Sequence, residues 1–356
     1  MDGENVALAV LVAAPALTGY AALRYFRRVR TAGDGGRPGL RRLIVGNALV
    51  LVFLLGVVAL VGECWLRFVY DGTDSYGLMR TTDRWFERHY KFNAQNVRDD
   101  VDYDLGPVPD GKRRVTFIGD SFTAGHGIED VGDRFANRVR AARPAWQVHV
   151  MSANGVDTGR ELILLEHNLP RVAEGGYRLD VVVLVYCLND ISDMMPEYDA
   201  ARRRMSSILK SRGVLARASW LCDALRFLWV TSRDRDLGDY YLSIASAYAS
   251  SVFDEQRARL HHFHEIVSSR GGRLAVVTFP FMNDIGPGYR FLEAHRRLAA
   301  FWREENVPDL DLLSTYEAFD ARDLVVGRFD AHPNRKAHVL AAEAIAPFLD
   351  RVVGER

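Results

Sequence analysis

Cysteine is scarce in this chain of 356 residues: Cys64, Cys187 and Cys222 stand at unrelated spacings. They form neither a disulfide framework nor a zinc pattern. Net charge is lacking as well, because 46 acidic and 46 basic side chains balance. A balanced chain has no global pull toward nucleic acid. No internal repeat appears. The opening residues M-D-G-E-N are acidic, so the basic start of a signal peptide is missing. His261, His262 and His264 cluster, but adjacent histidines on a helix point in different directions. No carboxylate beside them completes a site, so no metal is expected.

The charge that is present is unevenly placed. Residues 24–42 hold seven arginines (Arg24, Arg27, Arg28, Arg30, Arg37, Arg41 and Arg42) against Asp34 alone, a local charge of +6. This basic stretch separates two apolar runs, Val6–Leu23 and Leu43–Gly62. At 1.5 Å per helical residue, each is long enough to cross a hydrocarbon core of roughly 30 Å. Pro15 is expected to kink the first. The expectation is a transmembrane helical hairpin over residues 1–65 whose arginine-rich loop stays in the cytoplasm. Everything after about Trp65 then lies on the extracytoplasmic face of a two-pass membrane protein.

Residues 66–111 read as a membrane-proximal linker that becomes a pre-domain. From residue 112 to 356, strand and helix patterns alternate. Val115–Ile118, Gln147–Met151, Val181–Tyr186, Arg273–Phe279 and Leu310–Leu313 read as strands. Val181–Tyr186 is continuously apolar and β-branched, as in a parallel strand buried on both faces. Helices are expected over Asp133–Ala142, Arg160–Arg171, Gly288–Glu305 and Arg335–Val352, and Tyr241–Ser269 reads as one long helix or two. A helical insertion occupies about 191–270, with pieces around Arg202–Lys210 and Ala216–Trp229. The rhythm predicts an α/β fold, a doubly wound parallel sheet in a three-layer α/β/α sandwich.

Four short blocks fall at or just after strand ends. They are Gly119-Asp120-Ser121, Asn154-Gly155-Val156-Asp157-Thr158, Leu188-Asn189-Asp190 and Asp330-Ala331-His332-Pro333-Asn334. In an open parallel sheet these ends share one edge, where such folds place their chemistry. Acyl transfer needs these residue types. A serine hydroxyl is a poor nucleophile until a base takes its proton. Ser121 is the candidate nucleophile and His332 the candidate base. Asp330 is the candidate carboxylate that fixes the histidine's tautomer. The backbone N–H groups of Ser121 and Gly155 and the side-chain amide of Asn189 are candidate oxyanion donors. His126, His338, Asp157 and Asp190 read as structural or supporting groups. Tyr240, Tyr241, Tyr248, Trp220 and Trp229 fall in the insertion, where a substrate-covering lid would lie.

With these blocks in order, the chain resembles the SGNH or GDSL-type hydrolases from roughly Lys91 to Phe348. The matching stretches are G-D-S-F-T-A-G at Gly119–Gly125, N-G-V-D-T at Asn154–Thr158, L-N-D at Leu188–Asp190 and D-A-H-P-N at Asp330–Asn334. The resemblance implies a flavodoxin-like parallel sheet, Ser121 as nucleophile, His332 as base, Gly155 and Asn189 as oxyanion donors, and no cofactor. Two positions depart from the family pattern. Cys187 stands where many members carry glycine, and Phe329 stands where many carry the carboxylate, three residues before the histidine. Asp330, two before, can serve instead, and a Ser–His dyad oriented by a backbone carbonyl is the alternative. The expected activity is ester hydrolysis outside the cytoplasm, on an acylated envelope or extracellular glycan or a lipid ester. Two rivals are an O-acyltransferase using the same site beside a membrane partner, and an inactive glycan-binding protein. The sequence names no protein partner and no nucleic acid.

Overall fold

The computed structural model describes residues 3–31, 39–168 and 177–354. Asp34 and Arg37 of the arginine-rich stretch, and the end of the helix expected over Arg160–Arg171, lie outside them. The chain forms two compact units. One takes the residues up to Asp71, Leu78–Thr82 and Ser207–Arg233. The other takes Gly72–Gly77, Asp83–Ser206 and the residues from Asp234 onward. The insertion expected over about 191–270 is therefore divided between the units, as is the stretch after Trp65.

In the first unit, helices Gly3–Thr31 and Leu40–Phe68 pack side by side. Each has 29 residues, about 44 Å of helix, and is long and apolar enough to cross a membrane. Pro15 lies within the first helix without ending it. Shorter helices, Val214–Ala218 and Trp220–Thr231, complete the unit.

The second unit is built on a five-stranded, all-parallel sheet. Its strands are β1 (Arg113–Gly119), β2 (Trp146–Ser152), β3 (Val181–Cys187), β4 (Arg273–Phe279) and β5 (Asp309–Asp311). Their order is β2-β1-β3-β4-β5, the flavodoxin-like arrangement. All seven residues of β3 are buried, which is why that stretch reads as an unbroken apolar run. Helices Phe135–Ala142 and Arg335–Gly354 pack together. Helices Thr158–Ile163, Ser251–Ser269 and Leu292–Glu304 form a second group, joined by Arg257, whose guanidinium meets Glu304 at 2.6 Å. Right-handed crossovers require these two groups to cover opposite faces of the sheet. The long helical stretch before β4 is two helices, Arg235–Ala247 and Ser251–Ser269. Ser250 caps the second by accepting the Val252 N–H.

A small antiparallel hairpin stands apart from the main sheet: β6 (Val325–Gly327) and β7 (Asp330–Pro333). The segment before β1 is bound into this unit by charge. Arg98, fully buried, donates to the carbonyls of Ala124, Gly125 and Ile128. Asp99 accepts from Arg134, Asn137 and Arg140 at 2.6–3.1 Å. The stretch Val97–Asp100 thus buttresses the turn that follows Ser121.

Candidate active site

β1 ends at Gly119, and the chain turns at once into the short helix Ser121–Ala124. Only glycine fits at 119, since a Cβ there would stand 2.3 Å from Thr123 Oγ1 and 2.7 Å from the Val185 carbonyl. Asp120 caps the helix by accepting the Phe122 N–H at 2.8 Å. Ser121 is therefore held at the carboxyl end of β1, next to β3, where the strand order reverses direction.

His332 and Asp330 lie on β7. Residues two apart on a strand project to the same face, so Asp330 and His332 stand side by side. Ser121 Oγ lies 2.9 Å from His332 Nε2, and His332 Nδ1 lies 2.5 Å from Asp330 Oδ1. The same carboxylate oxygen accepts the His332 backbone N–H at 3.0 Å. Thr73 Oγ1 hydrogen-bonds the other oxygen, Oδ2. His126 Nε2 approaches Oδ2 at 3.2 Å, a close polar contact short of a well-aligned hydrogen bond. Its ring stacks on His332 with centroids 4.2 Å apart.

The electrostatics follow from these contacts. Burial alone would raise the Asp330 carboxyl, but the adjacent His332 charge and the two imidazole contacts outweigh it and hold it well below the usual carboxylate range. Burial alone would lower His332, but the charge and hydrogen bond of Asp330 raise it above the ordinary histidine value. His126 goes the other way: burial, then the His332 charge, lowers it against the pull of Asp330. Asp120 is raised by burial, while the Phe122 N–H, His332 and the Asn189 and Ser121 side chains favour its charged form. The ligand atoms of His126, Asp330 and His332 lie within 4.8 Å of one another. Both ring nitrogens of His332 already face partners, Ser121 Oγ and Asp330 Oδ1.

Ser121, His332, Asn154, Gly155 and Asn189 line one cavity of about 490 Å³. Gly155 adopts φ 69°, and nothing lies within 4 Å of the place a Cβ would take. No backbone acceptor takes the N–H of Ser121 or Gly155 among the described residues. Asn189 begins the turn after β3, which Asp190 closes by accepting the Cys187 N–H at 2.9 Å. The structure thus brings all five candidate residues to one place, with Asp330 reached through His332.

The neighbouring residues have plainer roles. Cys187 is wholly buried, and burial, then Asp120 and Asp190, pushes its thiol well above the usual range, so it stays protonated. His338 accepts the Phe135 N–H at 3.2 Å, and burial with nearby arginines lowers it to about 3. Asp157 caps helix Thr158–Ile163. Tyr240 and Tyr241 line the cavity, as do Tyr76, Phe86, Tyr198 and Phe281. Tyr248 is core, its hydroxyl bonded to the Leu188 carbonyl at 2.9 Å. The histidine cluster does meet carboxylates: Glu265 on the same helix lies 3.5 Å from both His261 and His262, and two others come from distant parts of the chain. Glu305 holds His261 and His264 at 2.8 and 3.1 Å, and Glu166 holds His262 at 2.8 Å. These are surface ion pairs. Thr73 is the site residue that sequence reasoning missed. It lies 257 positions from Asp330, and nothing in its local sequence marks it.

The second unit is thus an open α/β sheet with a serine–histidine–aspartate chain at its carboxyl edge. Among solved structures, it is similar to a member of the lipolytic protein G-D-S-L family from Veillonella parvula. That match has 14% identity and a TM-score of 0.41, over 67% of this chain and 99% of that one. A lipase/acylhydrolase from Enterococcus faecalis matches at 17% identity and a TM-score of 0.40, over 68% and 96%. A carbohydrate esterase family 2 enzyme with a carbohydrate-binding domain, from Corynascus thermopiles (Myceliophthora fergusii), matches at 13% and 0.41, over 70% and 68%. No family model and no curated protein matches the sequence. Likeness of this degree carries no activity across, and the chemistry rests on the side chains.

Proposed function

We propose that the chain is a serine ester hydrolase of the SGNH or GDSL type that works outside the cytoplasm. The observation that carries this reading is the hydrogen-bonded chain from Ser121 through His332 to Asp330, at 2.9 and 2.5 Å. In this reading Ser121 Oγ attacks an ester carbonyl as His332 Nε2 takes its proton, and Asp330 stabilises the imidazolium. The oxyanion is received by the free N–H groups of Ser121 and Gly155 and by the Asn189 amide. His332 then protonates the departing alcohol. A water, activated by the same histidine, releases the acyl group and restores the serine.

The lining supports an acylated glycan or lipid ester as substrate. Aromatic rings offer flat apolar faces, while Asn154, Asn283, Arg160 and Arg202 offer polar contacts. The two apolar helices, with the arginine-rich stretch between them, support a membrane anchor whose second unit faces outward. The inactive reading rests on Phe329, and the contact of Asp330 with His332 from two residues away, at 2.5 Å, favours the active one. The test is hydrolysis of p-nitrophenyl acetate by the purified full chain. Ser121→Ala and His332→Ala are expected to abolish it, and undiminished rates in both would overturn the mechanism. Product analysis with a glycan acceptor separates a hydrolase, which yields free acid, from a transferase, which yields a new ester.

A further inference from the structure

The first unit partly inverts the pattern of a water-soluble helical assembly, with large apolar side chains outward and two carboxylates buried. In helix Trp220–Thr231, Asp223 is buried at 1% exposure, while Leu225 and Trp229 are 55% and 60% exposed. Leu225, Leu228 and Trp229 recur at the three- and four-residue spacing of one helix face. That face is apolar and outward. The buried face holds Ala224 and Phe227 together with Asp223, which is paired with Arg212 at 3.3 Å and accepts the Arg80 N–H at 2.8 Å. In the neighbouring short helix, Val214 and Leu215 are 83% and 75% exposed. The long helix Leu40–Phe68 has the same inversion, with Glu63 at 0% and Val58 at 69%.

The two inverted surfaces are joined. Glu63 caps helix Trp220–Thr231, accepting from Ser219 Oγ at 2.7 Å and from the N–H groups of Trp220 and Leu221 at 3.1 and 2.8 Å. Gly62 leaves room for Leu221, whose Cδ1 would stand 3.3 Å from a Cβ there. Glu63 directly follows the apolar run Leu43–Gly62, so the cap stands where the hydrocarbon would end. Glu4, at the start of the other long helix, pairs with Arg67 and Arg80 at the same end. Exposed Arg217 and Arg233 flank the apolar face, and the Arg233 guanidinium lies 5.5 Å from the centre of the Trp229 ring. Tryptophan and arginine side by side on an amphipathic helix suit the headgroup layer.

We propose that residues 207–233 form a membrane-surface element, lying in the boundary between lipid headgroups and acyl chains. Val214, Leu215, Leu225, Leu228 and Trp229 enter the lipid, and Arg217 and Arg233 meet the headgroup phosphates. The inference rests on the long helices spanning the bilayer, as proposed above. It assigns this part of the insertion to the lipid surface instead of to a substrate lid.

The test is spin-label accessibility on the full chain in nanodiscs of mixed zwitterionic and anionic phospholipid. Labels go at Leu225→Cys and Trp229→Cys, and at Val214→Cys as an independent pair member should either helix-220 variant misfold. Cys64 and Cys222 are replaced by serine, and circular dichroism confirms folding. Leu54→Cys reports the hairpin, and Arg322→Cys, at a side chain 89% exposed, reports water. The expected result is greater access to oxygen than to a water-soluble nickel chelate at 214, 225 and 229, as at 54, with the order reversed at 322. Water-like readings at 214, 225 and 229 with a lipid-like reading at 54 would overturn the inference and leave the hairpin in the membrane. Low access to both reagents at those positions would show a protein partner covering the face, and would overturn it too. A water-like reading at 54 would remove the membrane reading and this inference together.

Discussion

Asp330→Asn and Asp330→Ala should separate the charge behind His332 from the hydrogen bond that orients it. Asp330 Oδ1 accepts two N–H groups of His332, from the backbone at 3.0 Å and from Nδ1 at 2.5 Å. An asparagine is therefore expected to keep its carbonyl oxygen there and turn its amide toward Thr73 and His126. Thr73 can accept by rotating its hydroxyl, and His126 by changing tautomer. The His332 tautomer survives, and what is lost is the charge facing the imidazolium in the transition state. Unit charges about 4 Å apart at an effective dielectric near 20 interact by about 4 kcal/mol, which is about a thousandfold in kcat. Alanine removes the charge and the orienting bond together, and should cost about 10⁴-fold, as loss of a triad carboxylate's function does elsewhere. The assay is kcat on p-nitrophenyl acetate across pH. If Asp330→Ala keeps more than about a tenth of the wild-type kcat, where a loss near 10⁴ is expected, the carboxylate does not serve His332 and the dyad alternative holds.

The pH dependence carries a second check. Wild-type activity should rise with pH as His332 loses its proton, with a midpoint above the ordinary histidine value. Asp330→Asn removes the strongest of the groups that raise it, leaving burial against the smaller pull of Asp120 and Asp74, so the midpoint should move down. Stability moves with the sign of the same shift. The folded pKa of His332 is raised, so the stabilisation it contributes is fully present below its unfolded pKa and is lost as pH climbs through the folded value. Asp330→Asn should therefore lower Tm more at pH 5 than at pH 8. An equal loss at both would mean that the pair is not charged in the folded protein at pH 5.

Asn189→Ala should lower kcat by about 10²–10³, the usual cost of one oxyanion donor, with KM little changed. A loss confined to KM would assign Asn189 to substrate binding. Gly155→Ala forces a side chain into φ 69°, a strain of about 1–2 kcal/mol. Thermal unfolding should show it as a lower Tm, alongside a slower turnover. Iodoacetamide should leave activity intact over the time needed to alkylate an exposed thiol, since Cys187 is buried with its thiol raised. Inactivation that tracks Cys187 modification would contradict that burial.

The elements legible in the sequence are those where one physical pattern dominates. β3 and β4 are buried nearly throughout, and continuous β-branched runs declare them. The break between Ala247 and Ser251 depends on one capping serine, a weak signal inside a long helical pattern. The hairpin β6–β7 is too short for any period to show. Thr73 could not be found, because its role exists only once β7 has brought Asp330 to it. The helical piece expected around Ala216–Trp229 is two helices, Val214–Ala218 and Trp220–Thr231, and helical periodicity records which residues share a face and not what that face meets. A leucine stripe looks the same whether it faces a core or lipid. Only the burial of Asp223 beside the exposure of Leu225 and Trp229 tells the two apart.

The carboxylate behind the histidine shows the same limit from the other side. Counted along the sequence, Asp330 stands one place off the spacing that many similar proteins use, and Phe329 takes the expected position. Counted along a strand, two residues are one full period of the pleat, so D-x-H puts both side chains on one face with no help from elsewhere. A three-residue spacing instead needs a turn between acid and base. The backbone conformation therefore decides which spacing works, and here β7 is extended from Asp330 to Pro333. This makes the hairpin part of the chemistry. Anything that unpairs β7 from β6 should separate Asp330 from His332 even with every side chain in place. Val325→Pro is the sharpest way to ask, because Leu324 holds φ −110° and ψ −17° with its carbonyl accepting the Asn334 N–H at 2.8 Å, and a proline disfavours that conformation in the residue before it. It should lower kcat toward the Asp330→Ala level while leaving the fluorophosphonate reactivity of Ser121 detectable. Loss of that reactivity with the fold intact would instead mean that β7 positions Ser121 itself.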